Sequence, residues 1–335
     1  MADLNQDPLA RPSVIHERLA DAWTRHRRDL FGLCYRMTGS AADAEDLVQE
    51  TFARALSKPP PDLERSLSPW LTRVAVNLSR DHLRRRRRGY DGPWLPEPLV
   101  SEPTEERAHE PTDTQGRYEL LESISYAFLL ALEELTPSQR AVLLLRDVFA
   151  YTGPETAAAL DMSESNVRQT LRRARRTMAD YERGRVEITP ELCARTRTAL
   201  ERFLGHLAAG DVAGVEQMLA EDVVMLTDGG GVYHAARVPV MGRSRVARFH
   251  MNVRRAEWPR LAFPTMNGLP AVVGEYDHSK PGIAPRFVTL GWPDADGRIS
   301  RIFTVLAPAK LVSVAKVEAG APAGGPGAGG DESLD

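Results

Sequence analysis

Two cysteines in 335 residues, Cys34 and Cys193, are too few for a disulfide framework, and each sits among helix-forming residues. Buried thiols in a reducing compartment are the expectation. No apolar run is long enough to cross a bilayer. The stretch Met1–Asp7 lacks the positive segment and apolar core of a secretory signal, so a cytoplasmic protein is expected. Metal-ligand spacing, a nucleophile elbow and a paired-carboxylate motif are also lacking, and no cofactor or metal is expected. Net charge is small as well: 43 Lys and Arg against 46 Asp and Glu leave −3 at pH 7. That balance argues against a nucleic-acid partner only if the charges are evenly spread.

They are segregated. Asp43 to Phe52 reads as a helix whose apolar residues, Ala44, Leu47, Val48, Thr51, Phe52 and Ala55, recur at helical spacing. Asp43, Asp46 and Glu50 line another stripe of it. A little further on, Arg73 to Arg88 holds seven arginines against one aspartate. A carboxylate face repels DNA and suits a basic protein surface, whereas an arginine helix is drawn to phosphate. One small domain is therefore equipped for a protein and a nucleic acid together.

The length suggests two or three domains. Helical patterning runs from about Ser13 to Arg88, with an apolar stripe at Leu19, Trp23, Leu30, Leu33 and Met37. Pro59–Pro61 end one helix, and Ser68-Pro69 read as N-cap and first residue of the next. Residues 89–117, rich in proline and acids, read as a linker; its apolar Trp94-Leu95-Pro96 should dock on something. A second helical block spans 118–183. Thr136 to Gln139 and Thr152 to Glu155 are helix starts of the capping-box type, and Asp161-Met162-Ser163 separates two short helices. Arginines load the second, as in a helix-turn-helix.

From Ile188 the texture is α+β. Helices near Pro190–Leu207 and Val212–Leu219 precede strands expected at Val223–Thr227 and Val232–Val238, flanking the turn Asp228-Gly229-Gly230-Gly231. A helix near Arg245–Arg255 and strands near Ala271–Tyr276, Arg286–Trp292 and Arg298–Leu306 complete a curved antiparallel sheet, and residues 311–335 form a disordered tail.

On the arginine helix, Arg73, Asn77, Arg80 and Arg84 share a face, and Arg85 to Arg88 extend the charge. Phosphates can neutralise them, Asn77 suits a base edge, and Trp70 offers a stacking surface. The alternative is a basic segment resting on the acidic linker. In the helix-turn-helix, Val167, Leu171, Ala174 and Met178 form the buried stripe. Ser165, Asn166, Arg168 and Gln169 occupy the end that meets bases, with Arg172 and Arg173 reaching phosphates or guanines. A plain arginine-covered surface helix is the alternative there, as a solvated surface is for the acidic stripe.

In this order and spacing, Asp43–Phe52, Pro69-Trp70-Leu71 with Asn77, Asp81 and Arg84, and Leu135–Met178 resemble regions 2 and 4 of an extracytoplasmic-function (ECF) RNA polymerase sigma factor. The resemblance covers roughly half the chain. It implies that Asp43, Asp46 and Glu50 dock on core RNA polymerase. It also implies that Asn77, Arg80 and Arg84 handle the promoter −10 element, and that Ser165 to Arg173 read the −35 element. Gly153-Pro154 departs from the helix-favouring pair usual at that place, although proline is compatible with a first turn.

Trp94-Leu95-Pro96-Glu97-Pro98 and Asp228-Gly229-Gly230-Gly231 resemble those of sigma factors with a C-terminal SnoaL-like domain of the NTF2-like fold. In such relatives the appended domain regulates the sigma factor in cis by intramolecular contact. Where they often carry lysine after the triple glycine, this chain has Val232. A small ligand in the pocket of that domain is a further option. Asp222, Asp228, Tyr233, His234, His250 and Tyr276 have the residue types for catalysis, but no motif unites them, so a non-enzymatic regulator is expected. An ordinary helix-turn-helix regulator, or an isomerase or cyclase with a DNA-binding appendage, are the rival classes.

Overall fold

The computed structural model describes residues 10–60, 66–90, 92–100, 125–183, 189–254, 257–277, 281–294 and 296–317. They fall into two units. The first holds the described residues up to Gly89 and those from Ser125 to Arg183; the second holds Tyr90, residues 92–100 and those from Thr189 onward. Of the disordered tail expected at 311–335, residues 311–317 are described and are packed, with Leu311, Val314 and Val317 buried; the rest lies outside the described residues.

In the first unit, α1 (Ala10–Thr38), α2 (Ala41–Ser57) and α3 (Ser68–Arg86) pack on one another. Gly39, at φ +69°, breaks the chain between α1 and α2, and Ser40 caps α2 by accepting from the Asp43 amide. Ala44, Leu47, Val48, Thr51, Phe52 and Ala55 are all buried, as their spacing predicts. Trp23 meets the Phe52 ring edge-on at 4.9 Å. Burying a side chain such as Leu47 or Phe52 is worth about 1.5–3 kcal/mol, enough to hold a helix that would be marginal alone.

The start of α3 differs from expectation by one residue. Leu67, buried and already in the αR region, takes the N-cap position without a side-chain cap, and Ser68 lies inside the helix. Burial of Leu67 sets the boundary there, and the serine is not the cap.

The second helical block comprises α4 (Tyr126–Glu133), α5 (Pro137–Leu143) continuing into a π turn (Leu144–Val148), α6 (Gly153–Leu160) and α7 (Glu164–Arg183). Both expected capping boxes form, Thr136 with Gln139 and Thr152 with Glu155. Gly153-Pro154 opens α6 as a first turn tolerates. Asp161, in the left-handed region at φ 53°, ends it and turns the chain into α7.

The second unit begins with α8 (Pro190–Ala209) and α9 (Val212–Gln217). A mixed sheet follows: β1 (Leu219–Asp228), β2 (Val240–Met241), β3 (Arg260–Ala262), β4 (Thr265–Met266), β5 (Leu269–Glu275), β6 (Arg286–Pro293) and β7 (Ile299–Val305), with α10 (Arg243–Val253) between β2 and β3. The order is β2-β1-β7-β6-β5-β3, with β4 on β5. Helices followed by a sheet is the α+β arrangement that the NTF2-like resemblance implies. Phe203, Val223, Met225, Val246, Val272 and Ile302 sit in its core.

Two expectations need correction. The sheet is not wholly antiparallel, because β1 pairs parallel with β7; the intervening elements supply the crossover that such a pair requires. The strand expected at Val232–Val238 does not form; the strand that follows the glycine turn is the two-residue β2, Val240–Met241, paired antiparallel with β1. Val232 and Val238 stand 60% and 69% exposed, so their alternation has no core to face. Among the described residues, no helix is long and apolar enough to cross a membrane.

Candidate functional site

Three surfaces carry the chemistry anticipated from sequence. On α2, Asp46 and Glu50 are exposed, Glu50 paired with Arg54 at 2.9 Å. Asp43 behaves differently. Its carboxylate lies 3.2 Å from His82 Nε2 on α3 and it sits beside the Ser40 cap. Burial pushes its pKa up, but the bonds and charge from His82 and the Ser40 hydroxyl outweigh this and hold it below the ordinary value. Asp43 thus joins α2 to α3 as well as contributing charge.

On α3, Trp70 is half-buried and Arg73, Arg84, Arg85 and Arg88 are exposed. Arg84 bonds Asp81 at 2.9 Å. Arg80 donates to Asn77 Oδ1 at 3.2 Å and to Ser138 Oγ of α5 at 3.1 Å. Its Nε is buried without an acceptor, and burial, then the nearby Arg84, lowers its pKa. That guanidinium is short of an anion. The end of the arginine run is used internally. Arg86 donates to the Thr38 carbonyl and to Glu133, and Arg87 to the carbonyls of Glu133 and Leu135. Glu133 also accepts from Arg140 at 2.8 Å, and Arg140 donates to the Met37 carbonyl. Sequence reasoning assigned the charge of the run to phosphate; a half-buried acid 47 residues beyond Arg86 gave no local signal.

On α7, Val167, Thr170, Ala174 and Met178 are buried, so Thr170 replaces the half-buried Leu171 in the expected stripe. Ser165, Asn166, Arg168, Gln169, Arg172 and Arg173 are exposed together on the opposite side. A Ser163–Ser165 hydroxyl contact and the Asn166 amide bonded to Ser163 Oγ order the N-terminal end.

In the second unit the described part of the segment read as linker, Tyr90 and residues 92–100, forms a strap. Leu95, Pro96, Glu97 and Pro98 are buried, and Trp94 is half-buried. Leu99 exchanges bonds with Asn267, a residue held at φ 47°. The centre of the strap is Asp228. Its Oδ1 accepts from Tyr90 OH and the Gly230 amide, and its Oδ2 from the Leu95 amide at 2.9 Å and Lys310 Nζ at 2.6 Å. Lys310 also donates to the Leu95 carbonyl at 2.6 Å, with its ammonium 3.9 Å from the Trp94 ring centroid and 4.9 Å from that of Tyr90. Both members of the ion pair are buried. The glycines make room: a Cβ on Gly229 would lie 2.4 Å from the Tyr233 carbonyl, and Gly230, at φ +61°, would put one 2.8 Å from Ala307. Gly231 lies open at φ +72°.

Sequence reasoning found Trp94, Leu95, Pro96 and Asp228 to Gly231 but missed Lys310. The cation facing Asp228 comes from the 3₁₀ turn Pro308–Lys310, while Val232 is 60% exposed. A signal existed. Only four residues of the whole chain are lysine against 39 arginines.

The residues with catalytic potential do not converge on one chemistry. Asp228 is consumed by the strap. Asp222 and His234 are exposed. His250 donates from Nδ1 to the Val246 carbonyl and meets the Phe203 ring edge-on at 5.1 Å, and burial lowers its pKa. No metal-binding cluster occurs among the described residues.

Comparison with known proteins bears on all of this. Residues 22–89 match the family model for sigma-70 region 2, and residues 125–178 that for sigma-70 region 4. ECF RNA polymerase sigma factor SigJ of Mycobacterium tuberculosis is 32% identical over 297 residues, covering 85% of this chain and 90% of SigJ. SigG of the same organism is 33% identical over 232 residues, 64% of this chain and 63% of SigG. The crystal structure of SigJ superposes with a TM-score of 0.65 at 27% identity, over 88% of this chain and 98% of that one.

Proposed function

Because this chain belongs to the ECF RNA polymerase sigma factors, which bind core polymerase and promoter DNA to direct transcription initiation, we propose a division of labour among its parts. Asp43, Asp46 and Glu50 on α2 dock core polymerase. Trp70, Asn77, Arg80, Arg84 and Arg85 on α3 engage the −10 element. Ser165 to Arg173 on α7 read the −35 element. We assign region 2 to 13–88, the linker to 89–117, region 4 to 118–183 and an NTF2-like, SnoaL-like regulatory domain to 188–310, acting in cis.

The strap carries the regulatory part of this reading. It follows directly on the arginine run of α3, with only Gly89 between Arg88 and Tyr90, and it is held by a buried ion pair within the regulatory domain. A device that fixes the segment adjoining the −10 helix is placed to control when that helix engages DNA.

The test is transcription in vitro with core polymerase on a promoter pool, comparing the full chain, truncations after Ile188, and Lys310→Met. Altered output from a cognate promoter is expected in the truncations and in Lys310→Met. Unchanged transcription across that set removes the cis-regulatory claim. Co-purification with core polymerase, lost on reversing charge at Asp46 and Glu50, separates this reading from a helix-turn-helix regulator that works without polymerase.

A further inference from the structure

The six arginines of α7 are not equivalent. At about 100° per residue, Ser165, Gln169, Arg172 and Arg176 follow one line, i, i+4, i+7, i+11, facing away from Val167, Ala174 and Met178. Arg175 lies to one flank of that line. There its guanidinium makes a two-pronged contact with Asp147, Nε to Oδ2 at 3.0 Å and a terminal nitrogen to Oδ1 at 2.7 Å. Asp147 is presented by the π turn at the end of α5, where the Phe149 amide reaches back to the Leu144 carbonyl. Such a wide turn re-aims the side chains it carries. Arg168 sits 3.8 Å from Glu164, and Arg183 pairs with Asp180. Arg172, Arg173 and Arg176 have no acidic partner among the described residues.

We propose that Arg176 is a further phosphate contact on the DNA face of α7, and that Asp147 is a positioning residue that holds Arg175 away from the DNA. The proposal rests on the reading of α7 as the −35 helix. With the N-terminal end of α7 in a major groove about 12 Å wide, a residue twelve positions beyond Glu164 lies about 18 Å along the axis. Arg176 is therefore past the base edges and level with the strand at the groove wall. Arg175 already has a bidentate carboxylate, the pairing in which a guanidinium is most fully satisfied, and a phosphate must displace it.

The measurement is binding of holoenzyme, formed with core polymerase, to a promoter fragment taken from the transcription pool, between 50 and 200 mM salt. Each phosphate contact contributes about 0.9 to the slope of log affinity against log salt. Arg172→Ala and Arg176→Ala should each flatten the slope by about that amount, so that each loses roughly three- to fourfold less affinity than wild type over this range. Arg175→Ala should leave the slope unchanged. Asp147→Asn, which frees Arg175 while preserving shape, should steepen it. A normal slope in Arg176→Ala beside a flattened one in Arg172→Ala overturns the Arg176 assignment. A flattened slope in Arg175→Ala with no change in Asp147→Asn overturns the role of Asp147. Normal slopes in Arg172→Ala, Arg173→Ala and Arg176→Ala together overturn the −35 reading of α7 itself.

Discussion

A carboxylate as enclosed as that of Asp228 is tolerable only while its cation stays in place. Lys310→Met removes the cation and leaves a buried charge facing the Trp94 and Tyr90 rings. Loss of one partner from a buried pair costs about 3–5 kcal/mol, so urea denaturation should show a large drop in midpoint. Asp228→Asn should cost less in Lys310→Met than in wild type, since the two side chains share one interaction. Glu133 is a second carboxylate that depends on its cations. Burial pushes its pKa up, but Arg140 and Arg86 outweigh burial and hold it below the ordinary carboxylate value. A carboxylate lowered on folding adds stability that is complete above its unfolded pKa, near 4.5, and vanishes as pH falls through the folded value. Thermal melts of the wild type should therefore lose more between pH 5 and pH 3 than those of Glu133→Gln. The lone buried thiol, Cys34, has its pKa pushed to about 12 by burial against a weaker opposing bond from Ser79. It should resist alkylation at pH 8 until the protein unfolds. The cysteine count had suggested buried thiols at both positions, and Cys34 is one while Cys193 is only half-buried; the Arg86–Glu133 and Lys310–Asp228 pairs were invisible because their members stand 47 and 82 residues apart.

Secondary-structure elements were legible where their signals are local. Thr152 and Glu155, and Thr136 and Gln139, announce helix starts within four residues, and both boxes form. Thr152→Ala should cost about 1 kcal/mol, read as a lower melting temperature of the helix-turn-helix. The buried face of α2 was equally plain, since its residues recur at one helical spacing. Local pattern failed at Val232–Val238, where Val232, Tyr233 and Val238 beside a glycine turn suggest a strand but both valines are exposed. It also failed at β1 and β7, whose parallel pairing joins the first and last long strands of the sheet and is decided by packing across the whole unit. The strap was half legible. Trp94-Leu95-Pro96 asked for a docking surface, but nothing near it in sequence named that surface.

At the scale of the whole molecule, the near-neutral net charge conceals how the charges are divided. Arg84, Arg85, Arg88 and the arginines of α7 stay exposed, some of them beside an acid such as Asp81 or Asp147, whereas Arg86, Arg140, Arg260 and Arg286 are buried or half-buried and tied to acids. The strap adds a constraint that neither end of it could supply. Limited chymotrypsin digestion should spare Tyr90 and Trp94 in the wild type and cut there in Lys310→Met while the rest of the second unit remains folded. Equal protection in both proteins would mean that the ion pair does not hold the strap. Lys310 stands 215 residues after Leu95, its hydrogen-bond partner. At ribosomal speeds of about 5–20 residues per second, the lysine leaves the ribosome roughly ten to forty seconds after the segment it secures. The strap is thus made before the lysine that secures it, and every newly made copy passes through a short period with its strap unsecured.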